Sequence, residues 1–164
     1  MSKNEIVRWH SSYSIGIPLI DAQHRELINL TNKLYEGCMS GREVSRVVFL
    51  RTVRGAVDYI GYHFSTEEKI MERVSYPYAE YSIHKQQHND FVREVLREVD
   101  DFSSGKKFTP NAFVYFLKDR VLTHIAVTDK KLGEFLVDMK RRGGMRGMTV
   151  QVKQQANTNR MIIR

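Results

Sequence analysis

His63-Phe64-Ser65-Thr66-Glu67 places an imidazole and a carboxylate four residues apart, and His84-Lys85-Gln86-Gln87-His88 repeats that spacing with two imidazoles. Residues i and i+4 on an α-helix project from one face, about one turn apart, so each stretch offers two metal-capable side chains from a single helix. His24 lies upstream, and His124-Ile125-Ala126-Val127-Thr128-Asp129 follows with one more histidine and one more acid. Five of the six histidines thus fall into one ordered pattern with two acids, spread over four helix-like stretches. Such a set is what a pair of metal ions inside a helical bundle requires.

The apolar periodicity around these residues predicts the helices. One runs from Pro18 to about Met39, with Ile20, His24, Leu27, Ile28, Thr31, Leu34 and Tyr35 on one face, and Ser40-Gly41 ends it. A second spans about Glu43 to Arg73 and carries His63 and Glu67 on the same stripe as Val53, Ala56, Ile60, Phe64 and Met71. Ser75-Tyr76-Pro77 stops it, because the residue before a proline resists helical dihedrals. A third extends from about Ala79 to Phe102, with His84, His88, Phe91 and Val95 inward. The fourth opens at Thr109-Pro110, a cap followed by a first-turn proline, and carries Phe113, Leu117, Val121 and His124. A short apolar continuation over Lys131–Met139 is expected to fold back on the body. The fold class expected is all-α: an up-down antiparallel four-helix bundle with an N-terminal arm and a short C-terminal helix. The divisions expected are an arm over 1–17, the bundle over 18–140 and a basic tail over 141–164.

The charge of +7 is not a nucleic-acid signal, because from Lys140 onward seven basic residues stand without an acid and the body sums to zero. No apolar run reaches the roughly 20 residues that a bilayer demands. The first residues lack a secretory signal's apolar middle, and the single Cys38 suits a reducing compartment, so the cytoplasm is expected. The tail offers a possible protein-docking peptide at its apolar end, Met161-Ile162-Ile163.

Coordination counting narrows the metal. If Glu67 and Asp129 each bridge two ions and an oxo or hydroxo joins them, five histidines divided three and two leave one ion six-coordinate and the other five-coordinate. The vacancy separates this set from a closed structural zinc site. Imidazole with carboxylate suits iron, with zinc and other metals chemically open. The histidine-rich donor set lacks the Glu-x-x-His motif of carboxylate-rich di-iron proteins and favours reversible binding of oxygen over its activation. Asp129 stands five residues after His124, off the α-helical stripe, so the helix end must bend or the side chain must reach round.

Trp9…Tyr13-Ser14-Ile15-Gly16-Ile17…Ile20-Asp21-Ala22-Gln23-His24, His63-Phe64-Ser65-Thr66-Glu67-Glu68…Met71, His84…His88-Asn89-Asp90-Phe91 and His124-Ile125…Asp129-Lys130 resemble the four motifs of bacterial hemerythrins. The resemblance covers about residues 7–135 and fills all seven ligand positions. It implies two irons with a bridging oxo or hydroxo, and it puts His84, His88 and His124 on the closed iron. His24 and His63 would hold the open one, with Glu67 and Asp129 bridging. It further implies that dioxygen binds the open iron and is reduced to a hydroperoxide-like ligand whose proton bonds to the bridge. Leu27, Phe64, Val121 and Ile125 read as core residues that also wall the oxygen pocket. One departure stands out: Arg120 occupies a position where family members often carry tryptophan. Its arm either snorkels to the bundle surface, the preferred reading, or borders the oxygen pocket.

The function expected is reversible dioxygen binding for storage, delivery or sensing. The alternatives are a di-iron enzyme or redox or nitric oxide sensor turning over peroxide or nitric oxide at the same site, a signalling module in which oxygen or redox state alters exposure of the basic tail, and a structural bundle with zinc or no metal.

Overall fold

The computed structural model describes residues 5–39, 46–104 and 109–143. Four helices form the bundle: α1 (Pro18–Met39), α2 (Arg46–Arg73), α3 (Tyr78–Ser103) and α4 (Pro110–Thr123). A π-helical segment, His124–Asp129, joins α4 to α5 (Lys130–Arg141). Helix α1 packs on α2 and α4, α2 on α3, and α3 on α4, which closes an antiparallel ring. The expected helix ends agree within a residue or two wherever they are described. The Ser40-Gly41 break and the tail beyond Gly143 lie outside the described residues.

Each helix buries the face its periodicity marks. Leu27, Leu34, Phe49, Val53, Ala56, Ile60, Phe64, Phe91, Val95, Phe113, Val114, Leu117, Val121 and Ile125 form one apolar cluster along the bundle. Local signals set the ends. The Thr109 hydroxyl accepts from the Ala112 amide at 3.3 Å, with Pro110 in the first turn. Helix α2 stops where Ser75 adopts φ 52° and the Tyr76 amide bonds back to the Met71 carbonyl at 2.9 Å. Termination is therefore a left-handed C-terminal turn, with Pro77 just beyond it.

One expectation is corrected. The stretch after helix four does not fold back; it continues from α4, with helical dihedrals at His124 (φ −60°, ψ −52°) and Lys130 (φ −58°, ψ −40°). Leu132 and Leu136 of α5 pack on Met71 and Val74 at the end of α2, making a second apolar cluster. A continuous helix keeps every backbone N–H paired, whereas a reversal would have to satisfy two new termini.

The arm is fastened at several points. The side chain of Asn32 accepts from the Ile6 and Val7 amides at 3.0 Å each and donates to the Val7 carbonyl at 2.8 Å. Asp21 accepts from the Ser14 hydroxyl at 2.6 Å and the Ile15 amide at 2.8 Å, while Lys130 donates to the Ser14 carbonyl at 3.0 Å. The arm crosses α5 at Gly133, where a Cβ would stand 2.6 Å from Ile15 Cβ and 2.7 Å from the Ile15 carbonyl oxygen. Only a glycine permits that approach. Among the described residues, no helix is long and apolar enough to cross a membrane.

Candidate metal centre

Seven polar side chains meet inside the bundle: His24 from α1, His63 and Glu67 from α2, His84 and His88 from α3, and His124 and Asp129 from the two ends of the π segment. All seven are buried; His63, Glu67 and Asp129 are 0 % exposed and His124, the most open, 7 %. The i, i+4 pairs of α2 and α3 lie on the inner faces as their spacing predicts.

Asp129 arrives by a different device. In an α-helix of 3.6 residues per turn, five residues carry a side chain about 140° past a full turn. The π segment closes its hydrogen bonds between residues five apart, so His124 and Asp129 return to the same face. Asp129 Oδ1 stands 2.9 Å from His124 Nε2, and its Oδ2 stands 3.0 Å from His24 Nε2. Neither a bend nor a long reach is needed.

The seven side chains form two overlapping donor sets. One comprises Glu67, His84, His88, His124 and Asp129; the other comprises His24, His63, Glu67 and Asp129. Within each set the donor atoms lie within 4.8 Å of one another, and both carboxylates belong to both sets. His84 Nε2 stands 3.4 Å from Glu67 and 3.3 Å from Asp129, and His63 Nε2 stands 3.7 Å from each.

Satisfaction of these atoms tests whether cations fit. His63 Nε2, Glu67 Oε1, His84 Nε2, His124 Nε2 and Asp129 Oδ1 are buried close to one another but make no well-aligned hydrogen bond. Each such group costs about 1–3 kcal/mol, and all five face the same interior. Two cations would satisfy them together, and imidazole with carboxylate donors suits iron.

Electrostatics point the same way. Burial and the Asp129 charge push the Glu67 carboxyl up, yet His63, His84 and His88 outweigh them and hold it at about 2. Burial likewise opposes Asp129, and His124, His24 and His63 keep it well below the usual carboxylate range. Burial lowers His84, but Asp129 and Glu67 outweigh it and raise the imidazole to about 9. His63 is raised in the same manner, whereas burial prevails at His88 and lowers it. Both carboxyls are thus held toward their charged form, and His84 holds a proton beside them where a cation could stand.

The far nitrogens of three histidines are also held. His24 Nδ1 donates to the Tyr13 carbonyl at 3.2 Å, His63 Nδ1 to Gln23 Oε1 at 3.1 Å and His88 Nδ1 to Glu68 Oε1 at 3.1 Å. Each bond turns Nε2 toward the centre and fixes the tautomer. Sequence reasoning assigned no role to Gln23, Glu68 or the Tyr13 carbonyl. Their positions beside His24 and Glu67 were a signal, since a polar residue next to a buried donor can reach a neighbouring helix. Asp21, three residues before His24 and in the first turn of α1, accepts from Ser14 and Ile15 and so ties down the arm. His10 is exposed and accepts from the Ser12 amide, apart from the cluster.

Phe64 stacks on His88 with centroids 3.9 Å apart and planes at 8°, and it also touches His63, His124 and Phe91. Leu27, Val121 and Ile125 are buried in the same apolar cluster. Arg120 pairs with Glu94 of α3 at 2.6 Å, its guanidinium 6.0 Å above the Phe91 ring. Its side chain is 37 % exposed, which is the snorkelling arrangement, although its Nε is buried without a partner.

Known proteins resemble this chain in sequence and fold. The model of the hemerythrin HHE cation binding domain matches residues 15–136. A bacteriohemerythrin of Stenotrophomonas maltophilia is 32 % identical over 98 residues, which is 60 % of this chain and 61 % of that protein. The match thus spans about three-fifths of that relative's length. A bacteriohemerythrin of Methylococcus capsulatus is 24 % identical over 132 residues, covering 80 % of this chain and 97 % of that one. A wild-type hemerythrin crystal structure superposes with a TM-score of 0.69 at 23 % identity, over 79 % of this chain and 96 % of that one. With the domain model covering most of the bundle, the chain belongs to the hemerythrin family.

Proposed function

We propose that the cluster holds two irons bridged by Glu67 and Asp129 and binds dioxygen reversibly, for storage, delivery or sensing. His84, His88 and His124 serve one iron, and His24 and His63 serve the other. The observation that carries this reading is the unequal division of the two donor sets around shared carboxylates. With an oxo or hydroxo bridge, the irons would supply one coordination position open to dioxygen or another small ligand.

The chain's own residues do the rest. Tyr13, Gln23 and Glu68 accept the Nδ1 protons of His24, His63 and His88, which leaves Nε2 as the donor. Phe64, Leu27, Val121 and Ile125 belong to one buried apolar cluster, and their role in this reading is to wall the pocket and keep water from the metal. An apolar wall of this kind would slow delivery of protons to a small ligand held there. Work in the cytoplasm is consistent with a lone, half-buried Cys38 whose thiol is pushed up by burial.

Anaerobic reduction followed by oxygen titration tests the proposal on protein of known iron content. Two irons per chain and a coloured adduct that disappears and returns through repeated deoxygenation are expected. Steady consumption of reductant, with oxygen, peroxide or nitric oxide turned over, would replace the binder with an enzyme on the same site.

A further inference from the structure

The three histidines with held Nδ1 atoms do not have equivalent acceptors. His24 donates to a backbone carbonyl and His63 to an amide oxygen, and both acceptors are neutral. The Gln23 amide cannot be turned: its Nε2 donates to Thr66 Oγ1 at 3.2 Å, and Thr66 in turn donates to the Tyr62 carbonyl at 2.9 Å. Oε1 therefore faces His63. His88 donates instead to the carboxylate of Glu68, whose second oxygen is 3.3 Å from Lys85 Nζ. Lys85 also donates to the Tyr81 hydroxyl, and Tyr81 donates to Glu72 at 2.9 Å. Glu68 is 23 % exposed and Lys85 45 %, so solvent screens their pairing more than the His88 contact, where the imidazole is 2 % exposed.

A carboxylate on the far side of an imidazole draws its Nδ1 proton and makes Nε2 a stronger donor. A ferric ion gains more from such a donor than a ferrous ion does. We infer that Glu68 is a positioning residue that, acting through His88, biases the iron of the three-histidine set toward the ferric state, while the neutral acceptors Gln23 and Tyr13 leave the two-histidine iron easier to keep ferrous. In a half-oxidised pair, the remaining electron then resides on the iron with the open position. The inference rests on the di-iron reading above.

Glu68→Gln separates charge from geometry, because the amide oxygen still accepts from His88 at the same place. The assay is potentiometric oxidation of the fully reduced two-iron protein by ferricyanide, each iron losing one electron as one ferricyanide becomes ferrocyanide. Expected for Glu68→Gln is a first oxidation about tenfold less favourable, which is about 59 mV more positive for one electron. Lys85→Met, outside the cluster, removes the cation that competes for Glu68 and should move the potential the other way. The exchangeable Nδ1 proton of His88, followed by paramagnetic NMR in the reduced protein, should shift in both variants while that of His63 stays put. Iron analysis comes first: a wild-type chain without two irons overturns the di-iron reading and this inference with it. Two irons and an unmoved potential in both variants overturn the role of Glu68 alone. Where Glu68→Gln loads iron poorly, Lys85→Met decides, a more negative potential supporting the role and an unchanged one refuting it.

Discussion

Replacing Gly133 with alanine pits two effects of known size against each other. In an exposed helix interior, glycine to alanine stabilises by about 0.5–1 kcal/mol through the unfolded chain and helix propensity. Gly61 and Gly55 of α2 meet that condition, since nothing lies within 4 Å of a Cβ built on either. At Gly133 the new methyl would stand 2.6 Å from Ile15 Cβ and 2.7 Å from the Ile15 carbonyl oxygen. The obstacle is backbone and a buried side chain, Ile15 being 4 % exposed, so no flexible tip can swing aside. Overpacking of this kind costs about 1–3 kcal/mol. The arm can withdraw only by stretching the Asp21 bond to the Ile15 amide and the Lys130 bond to the Ser14 carbonyl, each worth about 0.5–1.5 kcal/mol. The net expected is a loss of about 1–2 kcal/mol for Gly133→Ala against a gain of about 0.5–1 kcal/mol for Gly61→Ala. Chemical denaturation of the metal-free chains reads both values. Proteolysis near Ile15, or amide exchange there, reads whether the arm has lifted. A Gly133→Ala chain as stabilised as Gly61→Ala, with an equally protected arm, would refute the seating of Ile15 on α5.

Three further outcomes are expected. Asp129→Asn removes the carboxylate common to both donor sets, so iron content should drop below two per chain while far-ultraviolet circular dichroism stays helical; full loading of this variant would contradict bridging by Asp129. Loading the metal-free chain should release protons, because His84, with its pKa raised to about 9, is protonated at pH 7 and must lose that proton to coordinate. The sign follows: apparent affinity rises as pH climbs from 7 toward 9, by about tenfold per unit for each proton displaced, and binding in weak buffer without acidification would show the imidazole already neutral. Ser75→Gly, at a position with φ 52° where a side chain is strained, should stabilise by up to about 1 kcal/mol, raising Tm by about 2–4 °C; a fall would mean that the Ser75 side chain contributes something the backbone strain does not reveal.

The helices and their inner faces were legible because a single period of 3.6 residues carries both the apolar side chains and the histidines. Val53, Ala56, Ile60, His63, Phe64, Glu67 and Met71 are buried as one stripe of α2, and that stripe can be read without knowing its neighbours. The junction after His124 was not legible in the same way. A π turn has no strong residue preference, and its trace in the sequence is only the five-residue spacing from His124 to Asp129. That spacing gave a correct warning of irregularity without its form. The acceptors Gln23 and Glu68 were hidden for another reason: their partners lie on other helices, 40 and 20 residues away in sequence. The crossing of the arm at Gly133 was equally invisible, since a glycine inside a helical pattern signals close approach without naming what approaches.

The π turn explains why the arm belongs to the metal centre. The Ser11–Tyr13 turn of the arm packs against the π segment, and the Tyr13 carbonyl at its end accepts from His24. His24 reaches across to Asp129, the last residue of that segment. Asp129 leads directly into α5, whose Lys130 holds the Ser14 carbonyl and whose Gly133 receives Ile15. The His24–Asp129 side of the two-histidine set is therefore enclosed by a circuit of arm, α1, π segment and α5, while α2 supplies His63 and Glu67. The set with three histidines is braced by α2 and α3 through Glu68. Loosening the arm should disturb His24 before it disturbs His84, His88 or His124. His24 and Asp129 are thus tied to the arm by the same short contacts. In a bundle whose other three site helices present their ligands as regular helix faces, the irregular segment is where the metal centre and the rest of the chain are joined.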